Sequence, residues 1–142
     1  NEINAKKIAV IVNTDSPESQ KAIQLVKDGV FDALQFHCIP YEKISPELLE
    51  LPHYFAVKTA SEYEELSSKG EMRVLLDSSA QLQSNEKFTE ARWLAGGITP
   101  ENVASVIKDF APELIDISSG VEEDGKIGIK SEEKLRKIFQ KR

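Results

Sequence analysis

The run Trp93-Leu-Ala-Gly-Gly-Ile-Thr-Pro-Glu-Asn-Val103, answered after an amphipathic segment by Leu114-Ile-Asp-Ile-Ser-Ser-Gly-Val-Glu122, decides how this chain folds. Each half is a short apolar strand that ends in residues with little or no side chain. After the first half, Thr99 reads as a helix N-cap and Pro100 as the first helical residue. Two neighbouring strand ends therefore offer the bare backbone N–H groups of Gly96, Gly97, Ser119 and Gly120, with the Ser118 and Ser119 hydroxyls beside them. Such groups bind phosphate without a basic side chain. Either motif alone also reads as a plain turn or loop, since glycine supplies positive φ wherever a chain must reverse tightly. Their recurrence in consecutive strand–helix units favours phosphate, because the last two strands of a β/α barrel are the usual place for it.

Working outward, the same alternation runs through the whole chain. Lys7 to Asn13 is a β-branched run, apolar on both faces as a buried parallel strand should be. Ser16-Pro17-Glu18 starts a helix that runs to Asp28 and closes at Gly29. Further strands are predicted at Ala33 to His37, Tyr54 to Lys58 and Arg73 to Asp77, with helices from Ser45 to Leu51 and from Ser61 to Lys69. Ser78 to Glu90 reads as a polar loop with a short helix near Asn85 to Thr89. Trp93 to Ala95, a helix from Thr99 to Phe110, and Leu114 to Ile117 follow. The last helix, Ser131 to Gln140, has an acidic first turn (Glu132, Glu133) and basic residues at its end (Lys137, Lys141, Arg142), matching the helix dipole.

Six strand–helix units in strict alternation specify an α/β fold with parallel strands and right-handed crossovers. An open doubly wound sheet and a (βα)8 TIM-barrel type that is incomplete both fit. No Gly-x-Gly-x-x-Gly follows the first strand, and the phosphate signature lies in the last units, so the barrel is favoured. Eight strands close such a barrel, and two units are missing.

At 142 residues the chain reads as a single domain, 1–142, large enough to bury a core. The net charge of -6 disfavours nucleic acid and anionic membrane as partners, while leaving an anionic small substrate open to local backbone donors. No apolar run approaches the ~18 residues of a membrane span. One cysteine, Cys38, excludes an internal disulfide and suits a reducing cytoplasm. The two histidines are isolated and no metal-ligand spacing occurs, so neither metal nor other cofactor is expected. Asn1 in place of methionine hints that something upstream was removed.

Leu94 to Val103, Ile115-Asp-Ile-Ser-Ser-Gly-Val-Glu122 and Gly128-Ile-Lys130 closely resemble the C-terminal part of the phosphoribosylanthranilate isomerase family, which performs the Amadori step of tryptophan biosynthesis. Val74-Leu-Leu-Asp-Ser78 is similar to that family's sixth strand, Gln35-Phe-His37 to its fourth and Ile8 to Asn13 to its third. The resemblance thus implies strands 3 to 8 of the barrel. The family's first strand, with its cysteine base, and its second, with an arginine near the substrate carboxylate, have no counterpart. Its glycine-rich loop after the sixth strand is replaced by Gln81 to Phe88, which contains no glycine. Cys38 stands where the fourth-strand motif usually has glycine, so it is not the base by position. The family's lysine–aspartate pair before the last helix survives only as Lys130, followed by Ser131.

The implied reaction opens the ribose ring of an N-ribosyl amine and moves a proton from C2′, using a general acid and a general base. By resemblance Asp77 is the acid, which calls for burial or a neighbouring carboxylate to keep its proton. An aspartate capping a turn is the plain alternative. Leu114, Asp116 and Ser118 share one face by strand alternation; Asp116 then either meets substrate or bonds a neighbouring strand end. His37 lines the site beside Gln35, and Lys58 meets either an anionic group or solvent. The expected ligand is a phosphorylated ribose–anthranilate, bound through Gly96, Gly97, Ser118, Ser119 and Gly120. Without the base, the isolated chain is expected to be inactive, and its open sheet edges invite a homodimer. The alternative is a non-catalytic phosphosugar-binding or interaction module. An epimerase or aldolase is disfavoured for want of a metal set or a clear Schiff-base lysine.

Overall fold

The structure, a computed structural model, describes residues 4–83, 88 and 90–140. Six parallel strands lie in sequence order in one sheet: β1 (Ile8–Ile11), β2 (Ala33–His37), β3 (His53–Val57), β4 (Val74–Asp77), β5 (Trp93–Ala95) and β6 (Leu114–Asp116). Between and after them come α1 (Pro17–Lys27), α2 (Pro46–Leu49), α3 (Ala60–Ser68), α4 (Ser79–Gln83), α5 (Val103–Phe110) and α6 (Glu132–Gln140). Each strand pairs in parallel with the next, from Ile8 opposite Ala33 to Ala95 opposite Asp116. A doubly wound sheet would reverse strand order about its first strand. The monotonic order here is that of a TIM-barrel wall, six units long and unclosed.

Local chemistry sets the helix starts. Ser16 and Ser45 accept hydrogen bonds from Ser19 N and Leu48 N, with Pro17 and Pro46 in the first turn. Thr59 and Glu62 form a reciprocal capping box for α3. Two expectations are corrected. Regular α5 begins at Val103 rather than at Pro100, behind a turn in which Thr99 Oγ1 accepts from Glu101 N at 3.3 Å and Thr99 O from Val103 N at 3.0 Å, while Asn102 Oδ1 accepts from Thr99 N and Asn102 Nδ2 donates to Gly97 O, each at 2.8 Å. The intervening Pro100-Glu101 turn is spent folding the glycine loop back. The segment after β4 is not loop throughout but opens with α4, and a 3-10 turn, Tyr41–Lys43, precedes α2. The short helix expected near residues 85–89 lies outside the described residues, Phe88 apart, as do Lys141 and Arg142.

Alternation along the strands divides the core in two. Leu34, Phe36, Phe55, Val57, Val74, Leu76 and Leu94 pack against the helices with Ile23, Leu66, Val106 and Phe110. The opposite, concave face carries a small buried set, Ala56, Leu75 and Ala95, walled by Tyr54, Trp93 and Leu114. At the two ends of the sheet β1 pairs only with β2 and β6 only with β5. Val10 and Val12 stand 56% and 66% exposed at the first of these edges. Between α5, α6 and the β6 edge lies an apolar groove of about 590 Å³, lined among others by Leu114, Ile117, Leu135 and Phe139.

Two non-glycine residues sit in the left-handed region, Cys38 at φ 55° and Ala111 at φ 45°. The first explains why a glycine suits the end of β2: Cys38 turns the chain sharply while its N–H donates to Ala56 O at 2.9 Å. Ala111 ends α5, its N–H bonded to Ile107 O. A Cβ in this conformation costs ~1–2 kcal/mol. Ala111→Gly is therefore expected to stabilise the fold by about 1 kcal/mol in urea unfolding; a destabilised variant would contradict this reading.

Candidate active site

The concave-facing residues of β1, β2, β4, β5 and β6 meet at one end of the sheet. Gln35 and His37 of β2, Asp77 at the end of β4, and Asp116 at the end of β6 line a cavity of about 420 Å³, floored by Ala95 and bordered by Val10. Its rim is the two glycine loops, Gly96-Gly97-Ile98 and Ser118-Ser119-Gly120. The strands end here at their C-terminal ends, the side on which βα barrels do their chemistry. His37, Asp77, Asp116 and the residues of both glycine loops singled out in the sequence thus line a single cavity, while Lys58 and Lys130 lie outside its lining.

Close packing explains the glycines. A Cβ on Gly96, which sits at φ 90°, would stand 2.8 Å from Asp77 Oδ1 and 2.9 Å from the backbone nitrogens of Ser78 and Ser79. On Gly97, at φ 69°, it would meet Ser79 Cβ at 2.9 Å. A Cβ on Gly120 would lie 1.8 Å from Ile98 O. The two loops therefore touch backbone to backbone, and the first also presses on the Asp77 carboxylate. Among the described residues the N–H groups of Gly97 and Gly120 find no backbone acceptor. Both residues line the cavity, and a side chain at either would meet the neighbouring loop.

Two lysines near the site were only partly legible. Lys58 continues the alternation of Tyr54 and Ala56 onto the concave side, and its Nζ lies 2.5 Å from Asp77 Oδ2. The strand pattern placed Lys58 at the right end, but nothing in the sequence named Asp77 as its partner. Lys130 reaches back across the loop after β6: its Nζ donates to Ser118 O at 2.8 Å and pairs with Glu122 Oε1 at 3.0 Å. Lys134 adds a bond to Glu122 O at 2.7 Å. These bonds tie the second glycine loop to the start of α6. Their sequence separations of 8 and 12 residues carry no local periodicity to reveal them.

Asp116 is open to solvent, but the curved wall withholds part of its hydration. Desolvation first, and then the charge of Asp77, push its carboxyl above the usual carboxylate value of 3.8, against smaller opposing effects of His37 and Lys130. A carboxyl whose folded value is raised binds its proton more tightly folded than unfolded. Folding stability then falls as pH climbs from about 3.8 through the raised value. Asp116→Asn removes that loss. The variant should melt above the parent at pH 7, with the difference shrinking as pH is lowered through the unfolded range; a difference of opposite sign would refute it. Burial likewise raises the Cys38 thiol, which is ill suited to a thiolate role.

Among the described residues no group of three or more His, Cys, Asp or Glu side chains is placed to hold a metal ion, and no helix is long and apolar enough to cross a membrane.

The fold and the cavity define a protein of the TIM-barrel type, with paired carboxylates and glycine loops at the C-terminal ends of its strands. Over residues 1–141 the chain matches the family described as N-(5'-phosphoribosyl)anthranilate (PRA) isomerase. It belongs to that family of isomerases of tryptophan biosynthesis. It is 30% identical over 144 residues to the N-(5'-phosphoribosyl)anthranilate isomerase of Streptococcus mutans, covering 95% of this chain and 70% of that protein. The phosphoribosylanthranilate isomerase of Thermotoga maritima, known as a dimer from which monomers were generated, matches the fold with a TM-score of 0.71 at 26% identity, over 98% of this chain and 72% of its own. A phosphoribosylanthranilate isomerase in complex with reduced 1-(o-carboxyphenylamino)-1-deoxyribulose 5-phosphate matches with a TM-score of 0.69 at 27% identity, over 94% of this chain and 69% of its own.

Proposed function

We propose that this chain is the acid-bearing and phosphate-binding part of a phosphoribosylanthranilate isomerase, supplying strands 3 to 8 of the barrel. The observation that carries the reading is the convergence of Asp77, Asp116 and both glycine loops on one cavity at the C-terminal ends of the strands. In this reading the substrate phosphate lies on the N–H groups of Gly96, Gly97, Ser119 and Gly120, with the Ser118 and Ser119 hydroxyls alongside. Asp77 gives its proton to the ribose ring oxygen as the C1′–O bond breaks and the amine lone pair closes the C=N bond. A base then takes the C2′ proton, and the electron pair left behind forms the enaminol, which tautomerises to the 1-deoxy-ketose by taking a proton at C1′ as the C2′ hydroxyl gives up its own. Entry of substrate must part Asp77 from Lys58. Asp116, on the facing wall, and His37 contact the opened sugar.

This chain offers no residue for the base at the position where the family's first strand carries it, so the isolated chain is proposed to be inactive. Two features of the edges support the two absent units. Val10 and Val12 are exposed on the concave side of β1, and the apolar groove beside β6 is wide enough to receive further secondary structure. A second copy of the chain covering those edges is the homodimeric variant of the same idea. The competing reading is a non-catalytic phosphosugar-binding module, favoured by the fact that the cavity and both glycine loops are assembled from these six units alone. Growth of a tryptophan auxotroph lacking the isomerase separates them. Rescue is expected when the first two βα units of the Streptococcus mutans relative are fused ahead of Asn1, and no rescue from this chain alone. Failure of the well-expressed, folded fusion would favour the binding module.

A further inference from the structure

The concave face buries one polar side chain that the proposed chemistry leaves unused. Gln35 is 4% exposed in the middle of β2, and an amide in such a place is costly unless both its ends are bonded. Both are. The Tyr54 hydroxyl donates to Gln35 Oε1 at 2.7 Å, and Gln35 Nε2 lies 3.2 Å from His37 Nδ1. Tyr54 is itself held, edge-on to Trp93 with ring centroids 5.1 Å apart at 73°. The direction of this chain of bonds is fixed by counting protons. Were the amide turned over, the Tyr54 hydroxyl would accept from it, and the phenolic proton would lose the acceptor it has at 2.7 Å in Gln35 Oε1. With the hydroxyl donating, the NH₂ end faces His37. An NH₂ group only donates, so His37 Nδ1 must offer its lone pair, and the neutral ring carries its proton on Nε2.

We infer that Tyr54 and Gln35 are positioning residues that hold His37 in its Nε2–H form, so that the cavity wall presents a neutral N–H donor to an oxygen atom of the bound ligand. Asp116 lines the same cavity, and as a carboxylate it offers only acceptors. A histidine turned the other way would add a further acceptor to a wall meant for hydroxyl and carboxylate oxygens. The ligand part of this inference rests on the proposed isomerase reading, whereas the tautomer does not, and it is tested without ligand or turnover.

Two-bond ¹H–¹⁵N correlation spectra of the labelled chain at about pH 9, above the ordinary imidazole range, report which ring nitrogen is protonated. The parent should show His37 Nδ1 bare and Nε2 protonated. Gln35→Glu, whose carboxylate only accepts, should invert that pattern. Tyr54→Phe removes the donor that orients the amide and should show both forms. His53 is no substitute for this readout, since its Nδ1 lies 2.8 Å from Leu51 O and its Nε2 3.1 Å from Glu71 Oε2, an acceptor at each ring nitrogen. A parent ring protonated on Nδ1, or either folded variant keeping the parent pattern, would overturn the inference. If Gln35→Glu does not fold, Tyr54→Phe, which removes one oxygen atom, decides alone.

Discussion

Alanine at position 120 should abolish phosphate binding and lower stability by about 3 kcal/mol, at or beyond the upper end of ordinary overpacking costs. The new methyl would stand 1.8 Å from Ile98 O and 3.3 Å from Thr99 Cα, both backbone atoms. No side-chain rotation relieves such a contact, so the two loops must part by more than an ångström. Parting them separates the donors of Gly97 and Gly120, and a phosphate can no longer span them. Urea unfolding and ³¹P titration with inorganic phosphate measure the two effects together. Parent-like stability with parent-like phosphate affinity would show that the loops do not touch. Gly96→Ala is expected to be milder in stability, because one of the three atoms it meets is the movable Asp77 carboxylate, although positive φ still strains the alanine.

Asp77→Asn carries the largest expected loss of activity, ~10²–10⁴-fold in kcat, the usual worth of a general acid. It should be measured in the fusion carrying the first two βα units. KM should change little, since the phosphate contacts come from backbone N–H groups rather than from this side chain. A loss of less than tenfold in kcat would remove Asp77 from the acid's role and turn attention to Asp116, whose carboxyl is held above the ordinary range.

Much of this was legible before the structure because it is local. β2 and β5 fall on the residues that the apolar runs and their turn residues indicated. Ser16-Pro17 and Ser45-Pro46 start helices as capping chemistry requires. The concave face of Asp116 follows from a period of two. What failed was also physical. Thr99-Pro100 has the composition of a helix start and Thr99 does accept from Glu101 N and Val103 N, yet the regular helix begins only at Val103. The pairing of Lys58 with Asp77, the Lys130 tie to Ser118, and the bond from Tyr54 to Gln35 join residues on different strands or across a loop. No periodicity encodes such partners; only the curvature of the sheet brings them together. Gly96-Gly97 suggested a phosphate loop, whereas the strict need for Gly120 came from a close approach that sequence cannot show.

The central claim is that this chain holds the acid and the phosphate cradle of an isomerase whose base lies in two further βα units. The most direct test is turnover of phosphoribosylanthranilate by the rigorously purified chain, alone and with those units fused ahead of it. The account predicts no turnover by the chain alone and a kcat of ~1 s⁻¹ or more for the fusion, within the ordinary enzymatic range. Turnover by the chain alone, or a folded fusion that binds phosphate and does not isomerise the substrate, would contradict it.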